Sequence, residues 1–408
     1  MARFSVPNVT ERRSRLLHKG CGATGKRLTL IPQLRRIYLS VFFASVGLSS
    51  VYLIPAFAES LGANYLQLGY IGTTRAIPYM FLPIIFGYLG DRFNRRRLYL
   101  SSILLTGVGT LLLAFTNTFE GILSTQLILG VGFSSFWPLS EALVSEAAPS
   151  GKQTGAMGKY GVAWASGFLM GPLVSGYLAG TAGFRTMFLI AGMTVLVTAA
   201  VSTAAVRGSQ TKQVEETRTD NLPRRGLLSE LAPILWIQLP YGLVFSFIIT
   251  ILPGYALTSG LTPLEVGVVL SAFGVARAGT FSLSGRFGGL GERRSIILAS
   301  GGIVFALLVM PLSLTFVGLL IDILLLGFFI GILYPQVVGY ICKHTPPANL
   351  GFSMGLYEAT VGIGFAVGPI TSGFIAQTAG MSTTCFVLSA AAFSMIPIMA
   401  FPRTERRD

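Results

Sequence analysis

Apolar residues recur along this chain in long runs, each closed by a short polar or glycine-containing interval, and nowhere do polar and apolar residues alternate in strand fashion. A hydrocarbon core about 30 Å thick is crossed by about 20 apolar residues wound as a helix. Twelve runs meet that requirement, at 37–58, 66–89, 98–115, 122–144, 157–178, 187–206, 231–257, 266–283, 296–314, 317–341, 354–376 and 385–401. The other structure that can span a bilayer, a β-barrel, needs alternating segments of about ten residues, and none is present. The pattern therefore predicts an all-α membrane protein with twelve transmembrane helices. The shortest separation falls between the ninth and tenth runs, where only Ser313 to Phe316 marks a turn.

Composition agrees, because a 408-residue chain that is 52% hydrophobic and 11% charged has too much apolar surface for ordinary soluble domains. A net charge of +14 would suit a nucleic-acid binder, but its placement changes that picture. Lys and Arg fill the N-terminal tail from Arg3 to Arg36 and then the even-numbered connections, for example Arg92, Arg95, Arg96 and Arg97, or Arg286, Arg293 and Arg294. The odd-numbered connections carry only Arg185. The positive-inside rule thus places both termini and the long middle loop in the cytoplasm of a cell whose plasma membrane the chain crosses many times, with no role for nucleic acid. Residues 1–36 are too polar for a secretory signal and are expected to form a disordered basic tail near anionic lipid, although the Arg and Ser content also suits an organellar transit peptide. Cys21, Cys342 and Cys385, with His18 and His344, lack metal or disulfide spacing. The string GCGATGK at 20–26 is followed by Arg27 rather than Ser or Thr and has no strand before it, so it implies no phosphate loop. No cofactor and no enzyme activity are expected.

An internal repeat is the strongest signal. Residues 118–183 overlay 315–380 at an offset of 197 without a gap, pairing Thr118, Phe119 and Gly121 with Thr315, Phe316 and Gly318, and Gly130 and Pro138 with Gly327 and Pro335. Within it, GFLMGPLVSG (Gly167, Gly171, Pro172, Gly176) matches GFAVGPITSG (Gly364, Gly368, Pro369, Gly373). Further upstream the offset is 198, pairing Pro55 with Pro253 and Gly62 with Gly260. The expected organisation is a tail at 1–36, a six-helix bundle at 37–206, a linker at 207–229, a second bundle at 230–402 and a tail at 403–408, the bundles related by an axis along the membrane normal.

The connection after the second run reads GYLGDRFNRRRL from Gly87 to Leu98. Together with the six-plus-six repeat it resembles the major facilitator superfamily, whose signature there is Gly, three residues, Asp-Arg, one residue, Gly, then basic residues. Asn94 replaces the second Gly, and the second copy, GRFGGLGERR, has Gly289 where Asp91 stands. The resemblance implies a cytoplasmic latch of Gly87, Asp91, Arg92, Arg95 and Arg96, with Asp91 at the positive end of helix eleven and the arginines on acids such as Glu146, formed in the outward-facing state and broken as the halves rock. The plainer reading is that these basic residues only orient the chain. GFLMGPLVSG is similar to the antiporter signature of drug:proton exporters, with Ser175 in place of a glycine; close packing and proline bends explain the same string through duplication.

Charges inside apolar helices are costly and mark functional positions, which singles out Arg75, Arg277, Asp322 and Glu358. Glu358 and Asp322 are candidates for a coupling proton, since a low dielectric favours the neutral carboxylic acid. Arg75 and Arg277 stay charged and suit an anionic substrate or a stabilising ion pair. Glu141 and Lys159 lie close enough to the cytoplasmic face to snorkel and are read as structural. Gln126 stands where many proton-coupled relatives carry arginine, which weighs against proton coupling. By the resemblance, helices one, four, seven and ten line the cavity, exposing Ser50, Tyr52, Ser135, Trp137, Tyr241, Phe245, Phe329, Tyr334 and Gln336. The expected function is a monomeric secondary transporter working by alternating access, a proton-coupled exporter of an amphiphilic solute. The rivals are an uptake carrier for a small anion and a non-transporting receptor that keeps the fold.

Overall fold

The computed structural model describes residues 33–148, 153–205, 224–282, 291–313, 315–345 and 350–400. The expected tails and most of the expected linker lie outside these residues, as do the side chains of Gly87, Asp91 and Arg92. The first half contains α1 (Gln33–Ser60), α2 (Tyr65–Arg92), α3 (Arg95–Leu113) and α4 (Phe119–Ala147). The helical run Gln153–Ala205 follows, too long for one crossing, and it breaks at Gly183, where φ is 85° and ψ 158°. Its two arms are α5 and α6. A residue with a Cβ adopts such a backbone only at a cost, so glycine alone makes this reversal. The hydrophobic pattern predicts a loop there; one glycine takes its place.

The second half repeats the plan. Arg224–Thr250 continues through Leu252–Thr258 as α7, followed by α8 (Pro263–Ser282), α9 (Glu292–Val309) and α10 (Phe316–His344). The run Leu350–Phe393 breaks at Gly380, φ 85°, into α11 and α12, the latter extended by Met395–Ala400. Repeated residues keep their jobs in both halves. Thr118 and Thr315 cap α4 and α10, their hydroxyls accepting from the backbone N–H of Gly121 and Gly318 at 3.2 and 3.1 Å. Pro55 and Pro253 each start the short terminal helix that ends α1 and α7.

Helices alternate in direction, so the start of α1, the ends of α2, α4, α6 and α12, and Arg95, Arg293 and Arg294 share one end of the molecule, the basic face. Tight approach between helices comes from the repeated glycines. A Cβ on Gly167 would lie 2.7 Å from the Phe42 carbonyl, and one on Gly171 2.6 Å from that of Val46, so α5 rests directly on α1. Gly364 and Gly368 seat α11 on α7 in the same manner, 2.7 Å from Gly242 Cα and 3.1 Å from Leu243 Cα. The last glycine of each string faces the other half. Gly176 of α5 meets Gly267 of α8, and Gly373 of α11 meets Gly69 of α2, with Pro172 and Pro369 behind them. Lipid offers no hydrophobic drive between helices, so this backbone-to-backbone packing supplies the attraction.

Candidate functional site

The halves touch along a seam away from the basic face. Besides the glycine contacts, Tyr65 N–H donates to Gln377 Oε1 at 3.1 Å, the Thr258 hydroxyl to Glu59 Oε1 at 3.4 Å, and the Thr73 hydroxyl to the Ala366 carbonyl at 2.6 Å. Toward the basic face Gly279 of α8 and Gly339 of α10 have open space around an added Cβ, and Val162 of α5 is 67% exposed. Exposed Glu141 and Glu358 come from opposite halves at this end and lie in one field, so a cleft opens on the basic face while the seam contacts close the other.

Aromatic rings form its floor and cross from one half to the other. Phe133 and Tyr79 lie 6.4 Å apart, Tyr79 and Phe365 6.4 Å, and Phe365 stacks on Phe245 at 5.4 Å. Tyr52 and Phe245 border two cavities of about 60 and 90 Å³. Arg277 lines the smaller with Trp164 and Phe168; Arg75 lines the larger with Tyr79 and Phe133. Arg277 lies 5.0 Å over the Phe245 ring and 5.9 Å from that of Tyr334, and donates to the Tyr241 hydroxyl at 3.4 Å. Arg75 donates to the Val51 carbonyl at 3.4 Å. Four predicted lining residues, Tyr52, Tyr241, Phe245 and Tyr334, thus surround the two arginines.

Nearer the basic face, Glu141 of α4 and Glu358 of α11 are exposed to the cleft from opposite halves and lie within electrostatic range of each other. Tyr79, Tyr241, Tyr334 and Tyr357 share the field of Glu358. Among the described residues, neither carboxylate has a cation within ion-pair distance. The snorkelling role that its sequence position suggests for Glu141 gives way to this placement opposite Glu358. Sequence reasoning misses it, because which way a residue near a helix end faces depends on the partner helix.

Other candidates lie elsewhere. Asp322 is buried inside the second half beside Ser313 and Cys385, with Oδ2 lacking a hydrogen-bond partner, so it does not line the cleft. Ser50 and Ser135 turn inward and bond carbonyls of their own helices, Gly47 at 2.7 Å and Gly132 at 3.0 Å. Phe329 covers Gly302 of α9, and Gln336 is buried. Trp137 joins a ring cluster of Phe133, Phe136, Trp164 and Phe168. Beside the residues of helices one, four, seven and ten, Arg75, Phe168, Arg277 and Phe365 bring α2, α5, α8 and α11 to the two cavities. A one-turn spacing between Arg75 and Tyr79 on α2 was the available signal.

At the basic face Arg95 pairs with Glu146, and Arg96 donates to the Thr203 carbonyl at the end of α6. Both of these contacts lie within the first half.

Two bundles related by a repeat, meeting at a sealed seam and parting around a cleft, also describe a known family. A family model described as Major Facilitator Superfamily matches residues 37–313 and 234–408. The chain belongs to that family. It is similar to an uncharacterized MFS-type transporter of Methanocaldococcus jannaschii, 24% identical over 91% of this chain and 97% of that one. It is likewise similar to the multi-drug resistance efflux pump PmrA of Streptococcus pneumoniae, 25% identical over 89% and 94%. The multidrug resistance protein MdtG of Proteus mirabilis is 25% identical over 88% and 92%. Among solved structures, the nucleoside transporter NupG superposes with a TM-score of 0.71 at 13% identity, covering 91% of this chain and 99% of that one. A bacterial homolog of the human lysosomal transporter Spinster, captured inward-facing and occupied, gives 0.72 at 13% identity, covering 92% and 96%. Membership makes this chain a multi-pass membrane transporter of small solutes.

Proposed function

We propose that the protein exports small amphiphilic solutes across the plasma membrane in exchange for protons, with both termini and the basic face in the cytoplasm. The observation that carries this reading is the pair Glu141 and Glu358, one from each half, facing an aromatic cleft with no described cation partner. Aromatic walls suit an amphiphilic body, and carboxyls at the entrance suit a proton or a cationic group, whose occupancy alters the repulsion between the halves. A protonated pair lets the entrance close, while the ionised pair holds it open to load solute. The named efflux pumps among its relatives and the antiporter-like string on α5 support the direction of transport.

A second reading, uptake of a small anion, is favoured by Arg75 and Arg277, which border the cleft from opposite halves. Thermal unfolding of the purified protein in detergent, at two pH values, against lipophilic cations, sugars, amino acids and small anions separates the two. A ligand at a hundred times its dissociation constant adds about 2.7 kcal/mol, which is readily seen. Stabilisation by lipophilic cations that varies with pH and disappears in Glu358→Gln is the expected result. Stabilisation by an anion, lost in Arg277→Gln, overturns the exporter reading.

A further inference from the structure

A groove of about 720 Å³ lies on the outer surface of the first half between α1 and α6. Its walls are apolar, with Leu39 and Phe43 on one side and Met193 and Val197 on the other, each about half exposed. At its base the helices are joined by small side chains, the Ser40 hydroxyl contacting that of Ser202 at 2.7 Å, which leaves the space above unfilled. Along α6 the groove runs from Leu189 to Ser202, about 20 Å at 1.5 Å per residue. One leaflet's hydrocarbon is about 15 Å deep, so the groove reaches from the basic face to the bilayer midplane.

In a spanning protein such a groove faces the lipid hydrocarbon, and the charge at its end favours an anionic headgroup. Arg36 closes the groove at the basic face, Arg35 is exposed beside it, and Arg96 sits on the carbonyl of Thr203 one residue past the groove's last lining position. Among the described residues, the ion pair of Arg95 with Glu146 leaves Arg36 and Arg96 out. The second half supplies an internal control. At the same level the crevice between α7 and α12 is crossed by Trp236, whose indole N–H donates to Ser394 Oγ at 3.1 Å. Ser394 stands 197 residues after Val197, so the repeat that leaves a groove in one half bridges it in the other.

We infer that the α1–α6 groove is a binding site for one anionic phospholipid from the leaflet on the basic face, its acyl chain against Val197 and Met193 and its phosphate on Arg36. Arginine suits that role because its fork of donors matches phosphate oxygens, and each basic residue near an anionic headgroup strengthens binding about fivefold. The site is separate from the cleft and does not depend on which solute is carried.

The test is a titration of the delipidated full chain in detergent with dioleoyl phosphatidylglycerol or dioleoyl phosphatidylcholine, read by native mass spectrometry. One phosphatidylglycerol should bind about fivefold or more tighter than phosphatidylcholine, and Arg36→Gln should erase that preference. Val197→Trp, which fills the groove as Trp236 does its counterpart, should remove tight binding of both lipids with an unchanged melting temperature; Met193→Phe serves if that variant melts early. Equal affinity for the two lipids, a preference that survives Arg36→Gln, or full competition by glycerol phosphate without acyl chains overturns the proposal.

Discussion

The two halves share a backbone plan but not a set of charges. Glycines, prolines and capping threonines recur at constant spacing and do the same work twice: Gly176 and Gly373 seal the seam, Gly183 and Gly380 reverse the chain, Thr118 and Thr315 cap. The charged residues of the cleft do not recur. At the repeat spacing Arg75 corresponds to Phe273, Arg277 to Tyr79, Glu141 to Val338 and Glu358 to Gly161. The structure supports this alignment, since Gly130 packs on the carbonyl of Arg75 and Gly327 on that of Phe273. The duplicated fold thus provides two similar walls, and divergence of single side chains makes one wall chemically unlike the other. The proton exchange proposed above would use that asymmetry, with solute and proton bound by groups that change neighbours as the walls move.

Breaking the shared plan should have the largest effect. Gly364→Leu drives a side chain into Gly242 within one half and should cost about 3 kcal/mol or prevent folding. Gly373→Leu acts at the seam between halves, so it should leave melting within about 1 kcal/mol while opening the sealed face, seen as faster thiol labelling of a Thr258→Cys reporter. Equal loss of stability in both would erase the distinction between packing inside a half and packing across the seam.

The unshared charges come next. Glu358→Gln and Glu141→Gln should each lower proton-driven efflux from proteoliposomes about tenfold, the equivalent of about 1.4 kcal/mol, and flatten its dependence on internal pH. If Asp322→Asn has the larger effect, the coupling site lies inside the second half and the cleft carboxyls are bystanders. Arg277→Gln removes a contact with Phe245 and Tyr334 and should weaken solute binding by about 1 kcal/mol, roughly fivefold, with Arg75→Gln weaker still because no ring lies under it in the described contacts. The smallest change in stability belongs to Arg95→Gln. Its ion pair with Glu146 is partly exposed, so calorimetry should register about 0.5 kcal/mol for that pair.

The hydrophobic runs, the loop charges and the 197-residue repeat determined the helical class and the count of crossings, since each is set by the period and the solvent rather than by neighbours, and the string from Gly87 to Leu98 carried the family resemblance. The packing glycines were legible for the same reason: only small residues let helix backbones approach within a few ångströms. What the sequence left open was the facing of each polar residue. Asp322 and Glu358 look alike as isolated acids in apolar helices, yet one is enclosed by its own half and the other looks across the cleft at Glu141. The lining residues divided likewise, with Tyr52 and Phe245 at the cavities and Ser50, Ser135 and Gln336 turned into their bundles. A helix in lipid has no polar face to betray its orientation, so its rotation is set by which neighbour its glycines meet. That meeting exists only in the folded bundle.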